Sequence, residues 1–151
     1  MATIGKLDVE VKVHSKADKF FNSIMNSATI FPKVCSGLYK SVEVLEGDGQ
    51  SVGSIRVVHF AEGSPMKTVK ERIEEVDEPN MKVVYSVIDG DLMQYYKTFK
   101  AIIVVIPEGE GSIVKWFCEY EKANDEVPDP CMITDLVAKN FQAVDAYLLK
   151  A

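Results

Sequence analysis

The sequence predicts an α+β fold in which one long amphipathic helix at the C-terminus packs against an antiparallel sheet. The run from Asp129 to Ala151 has the apolar spacing of a single helix of about 20 residues, roughly 30 Å long. The region from Leu38 to Glu121 consists of alternating apolar runs separated by turn residues, as in a β-meander. No other stretch has the pattern of a helix of comparable length, so we expect strands to cover the apolar face of the long helix.

The chain begins with a predicted strand and two short helices. Apolar and charged residues alternate from Lys6 to Val13, as expected for a strand with one buried face. Ser15 and Asp18 resemble a capping box and predict a helix directly after them. A second helical segment at 27–34 contains Pro32 and is therefore predicted to be short.

Six further strands are predicted, each bounded by residues that favour turns. They are Leu38–Glu46, Ser54–Phe60, Met66–Val76, Lys82–Ile88, Tyr95–Ile106 and Ile113–Glu121. The turn Glu62–Pro65 separates the second and third of these, and a loop with three glycines, Gly47–Gly53, separates the first two. The short connections favour antiparallel neighbours, which gives seven strands in total.

The long helix is predicted to begin at Asp129, as a carboxylate N-cap, with Pro130 in the first helical position. Its apolar face is expected to carry Met132, Ile133, Leu136, Val137, Phe141, Val144, Tyr147 and Leu148, and its polar side Asp135, Lys139, Gln142 and Asp145.

The composition of the chain excludes several classes of function. The 151 residues are expected to form one domain, 1–151. A net charge of −6 and a pI of about 5.0 argue against binding to nucleic acid. The sequence has neither a run of about 18 apolar residues nor a signal peptide, so we expect a cytoplasmic protein with no integral membrane association. Three scattered cysteines indicate neither a disulfide framework nor a metal site, and no cofactor is predicted.

Strand alternation predicts which side chains face the helix. The inner set is Val114, Trp116, Cys118 and Tyr120 on the last strand, Phe99, Ala101, Ile103 and Val105 on the preceding one, Val83, Tyr85 and Val87, and Val69, Glu71 and Ile73. Glu71 is notable because an unpaired carboxylate on an inner face is costly. Aromatic residues with polar tips are frequent on this face. They are compatible with an amphipathic cavity and equally with a filled core whose hydroxyls are hydrogen-bonded.

Seven short motifs, in order along the chain, carry a resemblance to a known family. They are Ala17–Phe21, Ile30–Lys33, Glu46–Ile55, Val69–Asp77, Tyr95–Lys100, Trp116–Lys122 and Tyr147–Leu149. With this element order, the chain resembles the Bet v 1 superfamily (pathogenesis-related class 10), and within it the major latex protein branch. The resemblance implies a helix-grip fold, with a seven-stranded sheet curved around the long helix and a large internal cavity.

The resemblance also implies binding of an amphipathic small molecule of lipid, fatty acid, flavonoid, steroid or hormone type, linked to defence or stress response. No catalytic residue is assigned. The expected ligand-binding residues are Ile24, Phe31, Tyr39, Val58, Phe60, Val69, Glu71, Tyr85, Phe99, Trp116, Cys118, Tyr120, Ile133, Leu136, Val137, Asn140 and Phe141.

Three other functions were weighed against binding. A cofactor-free isomerase or cyclase would use Glu71 as a general base. A nuclease is not expected, because His14 and His59 have no evident partner and the chain is acidic. A protein with a filled core and no ligand is the third. The loop Gly47–Gly53 joins two strands and does not lead into a helix, so its glycines indicate a turn and not a phosphate site.

Overall fold

A computed structural model of the protein describes residues 4–63 and 66–150. The strands are β1 (Ile4–Val13), β2 (Tyr39–Glu46), β3 (Ile55–Phe60), β4 (Thr68–Asp77), β5 (Lys82–Gly90), β6 (Tyr96–Glu108) and β7 (Gly111–Lys122). The helices are α1 (Ala17–Met25), α2 (Ser27–Val34) and α3 (Cys131–Lys150), with a short 3-10 helix at Asp91–Gln94. The predicted α+β fold, with two short helices after the first strand and the long helix last, is confirmed.

All seven strands form one antiparallel sheet in the order β1-β7-β6-β5-β4-β3-β2. The first two strands of the chain therefore lie at opposite edges, and the helices α1 and α2 connect these edges. Register shifts in the β2–β3 and β4–β5 pairs increase the local bend of the sheet. The sheet curves around α3, and the core lies between its concave face and the helices.

The predicted inner faces are the buried ones. The buried side chains on β7 are Val114, Trp116, Cys118 and Tyr120, and those on β6 are Phe99, Ala101, Ile103 and Val105. On β4 and β5, Val69, Ile73, Val83 and Val87 are buried as well. Element ends differ from the prediction by one to two residues; for example, β5 continues to Gly90 and β6 to Glu108. Residues 64 and 65 of the predicted turn and Ala151 of the predicted helix lie outside the described residues.

The capping box predicted at Ser15 is wrong, and so is the predicted exposure of Asp145. Helix α1 has Lys16 at its N-cap and no side-chain cap. The Ser15 hydroxyl donates instead to Asp145 on α3, whose carboxylate also accepts the backbone N–H groups of His14 (3.0 Å) and Ser15 (2.9 Å). Asp145 is 7% exposed. This carboxylate ties the C-terminal half of α3 to the β1–α1 connection.

The predicted role of Asp129 as an N-cap is also wrong. Helix α3 begins two residues later, at Cys131. The Asp129 carboxylate accepts a hydrogen bond from the Tyr120 hydroxyl (2.7 Å) and forms an ion pair with Lys122 (3.0 Å). These contacts hold the pKa of Asp129 below its usual value. The start of α3 is thus fixed to the end of β7.

Candidate functional site

Two neighbouring cavities lie between the concave face of the sheet and α3. Each has a volume of about 80 Å³. This is smaller than the roughly 300–1,000 Å³ of typical small-molecule pockets. A ligand of that size would therefore have to widen the space between the sheet and α3.

Six residues border both cavities and form the partition between them. They are Tyr39, Val58, Glu71, Tyr85, Trp116 and Val137. The first cavity extends toward α1 and α2 and is bordered by both helices, and the second extends toward the 3-10 helix and the N-terminal turns of α3. A ligand longer than one cavity would have to move side chains of this partition.

The structure brings 15 of the 17 predicted ligand-binding residues to the cavity walls. Besides the six residues of the partition, Ile24, Phe31, Asn140 and Phe141 line the first cavity. Phe60, Val69, Phe99, Ile133 and Leu136 line the second. Period-two alternation on the strands and the period of 3.6 on α3 place these side chains on the surfaces that face each other.

Cys118 and Tyr120 do not line either cavity, although both face inward from β7. Cys118 is 1% exposed and lies opposite Ala101, where the two short side chains do not reach the open space. The Tyr120 ring packs edge-on against Tyr96 at a centroid distance of 5.5 Å. Its hydroxyl is directed to Asp129, at the far end of the strand. Tyr120 therefore anchors α3 and is unavailable as a cavity wall.

Eleven cavity residues were not predicted. The first cavity adds Met25, Ser27, Val42, Gly49, Arg56, Ile73, Val83 and Ile103, and the second adds Met66, Val87 and Leu92. Alternation already placed Ile73, Val83, Val87 and Ile103 on the inner face. Arg56 could have been found by the same signal, because it is two residues before Val58 on the same strand.

The charged group of the site is a largely buried ion pair between neighbouring strands. Arg56 on β3 pairs with Glu71 on β4, Nη2 to Oε1 at 2.9 Å, and Arg56 Nη1 donates to the Ser27 hydroxyl at 2.6 Å. The two side chains are 12% and 14% exposed. Burial raises the pKa of the Glu71 carboxyl, and the neighbouring guanidinium opposes this effect.

Two tyrosines complete the polar part of the wall. The Trp116 indole N–H donates to the Tyr85 hydroxyl at 3.0 Å. Tyr39 stacks between Phe31 of α2 and Phe60 of β3, with centroid distances of 5.7 Å to each. Burial raises the pKa of both hydroxyls, and the carboxylate of Glu71 adds to the shift. Both tyrosines therefore stay neutral and keep a proton to donate.

The glycine-rich loop has the conformation of a turn. Gly47, Gly49 and Gly53 all have positive φ (76°, 82° and 91°), which explains their residue type. Asp48 accepts the backbone N–H groups of Gln50 (2.8 Å) and Ser51 (2.7 Å). A carboxylate of the loop itself thus occupies donors that a phosphate cradle would need to offer.

Two further kinds of site were searched for within residues 4–63 and 66–150. This part of the chain has no cluster of three or more His, Cys, Asp or Glu residues arranged to hold a metal ion. None of its helices is both long enough and apolar enough to cross a bilayer.

Comparison with known proteins defines the family. Residues 2–151 match the model of the pathogenesis-related protein Bet v 1 family. The chain belongs to the Bet v 1 family. MLP-like protein 423 of Arabidopsis thaliana is 47% identical over 151 residues, which cover 99% of this chain and 97% of that protein. The resemblance to the major latex protein branch is confirmed by this relative and other MLP-like proteins.

Two solved structures share the fold. Ginseng major latex-like protein 151 from Panax ginseng has a TM-score of 0.90 at 26% identity, covering 97% of this chain and 98% of that one. Norcoclaurine synthase from Thalictrum flavum, solved with dopamine and hydroxybenzaldehyde, has a TM-score of 0.83 at 23% identity, covering 97% of this chain and 87% of that one. The second likeness concerns the fold alone.

Proposed function

We propose that this Bet v 1 family protein binds an amphipathic small molecule between its sheet and α3, as a carrier or sensor. The observation that carries the proposal is the pair of internal cavities with mostly apolar walls and one polar cluster, Arg56, Glu71, Tyr39 and Tyr85. Apolar burial contributes about 25 cal/mol per Å² before ordering costs, so broad selectivity with micromolar affinity is expected. Lipids, fatty acids, flavonoids, steroids and hormones fit this description.

The ligand would occupy the interior in one of two ways. A compact molecule would occupy one cavity and widen it beyond its present volume of about 80 Å³. An extended one needs both, and then Val137 of α3 and the aromatic rings opposite it have to separate. The six residues of the partition are therefore the ligand contacts on which affinity depends most.

We further propose that the protein acts inside the cell in a defence or stress response. The three cysteines are all unpaired, which fits a reducing compartment. The description of the family as pathogenesis-related supports the link to defence.

The test uses Trp116, which is the single tryptophan of the chain and borders both cavities. Titration with fatty acids and sterols should quench its fluorescence saturably, with midpoints in the micromolar range. Flavonoids absorb near tryptophan emission, so their binding is measured by displacement of the neutral dye N-phenyl-1-naphthylamine. If none of these compounds quenches the Trp116 fluorescence and none displaces the dye, the proposal is refuted.

A matched pair of variants locates the binding. Val137→Phe adds bulk to the wall of both cavities and should weaken binding of the dye at least tenfold. Met132→Phe adds a ring to an exposed position of the same helix and should leave binding unchanged. Val137→Ala, which enlarges the space, should retain binding. This variant keeps the test decisive if Val137→Phe does not fold. Equal binding by the two phenylalanine variants would place the ligand elsewhere.

A cofactor-free isomerase or cyclase is the second candidate, and the raised pKa of the buried Glu71 carboxyl favours it. In this role Glu71 would accept a proton from a bound substrate, while a tyrosine hydroxyl beside it stabilises the charge that develops. Glu71→Gln should then abolish turnover and preserve substrate affinity. If Glu71→Gln loses affinity for the substrate, and neither this variant nor the unmodified protein shows turnover, Glu71 has a role in binding and none in catalysis.

A further inference from the structure

Arg56 has one hydrogen-bond donor that the protein leaves unused inside the cavity wall. Its Nη1 and Nη2 atoms are bonded to Ser27 and Glu71. Its Nε–H is buried and has no partner among residues 4–63 and 66–150. Buried polar groups in folded proteins are nearly always hydrogen-bonded, so this covered donor in a residue of the cavity wall lacks an acceptor, which a bound molecule could supply once the side chains around it move.

The same wall offers further open polar functions. The Tyr85 oxygen accepts from Trp116, so its own proton is free to be donated. Tyr39 and Glu71 border the same cavity, and one oxygen of the Glu71 carboxylate, Oε1, already accepts from Arg56. The cluster thus combines hydroxyl donors with a carboxylate acceptor at the first cavity.

The charge of the cluster decides which ligand group fits. The guanidinium of Arg56 and the carboxylate of Glu71 neutralise each other at 2.9 Å, so the wall has no net charge to attract an anion. A ligand carboxylate next to Arg56 would also lie close to the negative carboxylate of Glu71. A hydroxyl avoids this repulsion, because its oxygen accepts from Arg56 or a tyrosine while its proton is donated to Glu71.

We infer that the protein selects ligands with an uncharged hydroxyl head, an alcohol or a phenol, over carboxylates of the same skeleton, through the Arg56–Glu71 pair. This inference rests on the proposed function and narrows its ligand class. It places sterols, flavonoids and other hydroxylated apolar molecules ahead of fatty acids. The apolar remainder of the ligand lies against the aromatic wall.

The experiment compares three compounds that share one ring system, namely naphthalene, 2-naphthol and 2-naphthoate. Their affinities are measured by isothermal titration calorimetry at pH 7 with the full chain. A hydrogen bond to a charged group corresponds to roughly a tenfold to hundredfold change in affinity. We therefore expect 2-naphthol to bind at least tenfold more tightly than naphthalene, and 2-naphthoate to bind no better than naphthalene.

Two variants test the roles of the pair. Arg56→Lys keeps the positive charge but lacks Nε, and should remove the preference for 2-naphthol while naphthalene affinity is retained. Glu71→Gln leaves the guanidinium unneutralised, and should invert the order so that 2-naphthoate binds most tightly. Arg72→Lys is the matched control, because Arg72 pairs with Glu74 on the outer surface and should change nothing.

The outcomes separate this inference from the proposed function. Binding of all three compounds with equal affinity in the unmodified protein would overturn the inference and leave the proposed function standing. An unchanged order in both Arg56→Lys and Glu71→Gln, with circular dichroism showing folded protein, would overturn it as well. No binding of any of the three, together with no binding of N-phenyl-1-naphthylamine, would overturn the proposed function itself.

Discussion

Replacing Asp145 by asparagine is expected to lower the free energy of unfolding by about 2–4 kcal/mol. The carboxylate accepts three hydrogen bonds in a buried position, through Oδ1 from the Ser15 hydroxyl and N–H and through Oδ2 from the His14 N–H. Asparagine keeps one oxygen and can still accept from Ser15. Its amide nitrogen would face the His14 N–H, so one bond to a charged acceptor is lost and two donors meet.

The assay is urea unfolding at pH 7, with Asp135→Asn on the exposed face of the same helix as the control. At a slope of about 2 kcal/mol per molar urea, the expected midpoint shift is about 1–2 M. A difference below about 0.5 kcal/mol between Asp145→Asn and the unmodified protein would refute the reasoning, since surface substitutions have effects of that size.

The pH dependence of the same comparison gives a second check. Burial by itself would raise the pKa of Asp145, but the Ser15 hydroxyl and the two backbone N–H groups outweigh it and lower the pKa. Because the folded pKa lies below the unfolded one, the stabilisation is complete above the unfolded value of about 4 and is lost as the pH falls through the folded pKa. The advantage over Asp145→Asn should therefore shrink on acidification. An advantage that stays constant would contradict this account.

Two further substitutions test the geometry of the sheet and of the site. Gly90→Ala should lower the free energy of unfolding by about 2 kcal/mol or more, because φ is 108° and the added Cβ would meet a backbone carbonyl of β4. Gly109→Ala is the control, since its added Cβ has open space and should lower the free energy of unfolding by about 1 kcal/mol. Urea unfolding midpoints compare the two variants. Tyr85→Phe leaves the Trp116 N–H without its acceptor and should cost about 1–3 kcal/mol, with a change in tryptophan emission that reports the lost hydrogen bond. An unchanged emission spectrum and midpoint would show that a different group satisfies the indole.

Sequence patterning was sufficient for the architecture and for most of the cavity wall. Alternation on β6 and β7 placed Phe99 and Trp116 on the inner face, and helical periodicity placed Val137 and Phe141 opposite them. These positions are predictable because a side chain's direction follows from its place in a strand or helix, whichever partner it meets. Composition alone did not distinguish a cavity from a filled core, since both use the same residue types.

The failures concern charged and polar residues whose partners lie on a different helix or strand. Ser15 and Asp18 have the local spacing of a capping box, but Ser15 bonds to Asp145, 130 residues away. Asp129 has the sequence context of an N-cap, but its carboxylate accepts a hydrogen bond from the Tyr120 hydroxyl of β7 instead. Alternation on β3 could have placed Arg56 on the inner face with Val58, but it does not show that Glu71 on β4 neutralises its charge.

The route of the chain between the two edges of the sheet has a mechanical consequence. Side chains of α2 and the residue before it are tied to the rest of the protein by Asn26 to Gln50 (2.8 Å), Ser27 to Arg56 (2.6 Å) and Lys33 to Tyr147 (3.2 Å). None of these ties belongs to the backbone ladder of the sheet. An outward displacement of α2 would therefore break side-chain contacts and leave the backbone hydrogen bonds between the strands intact.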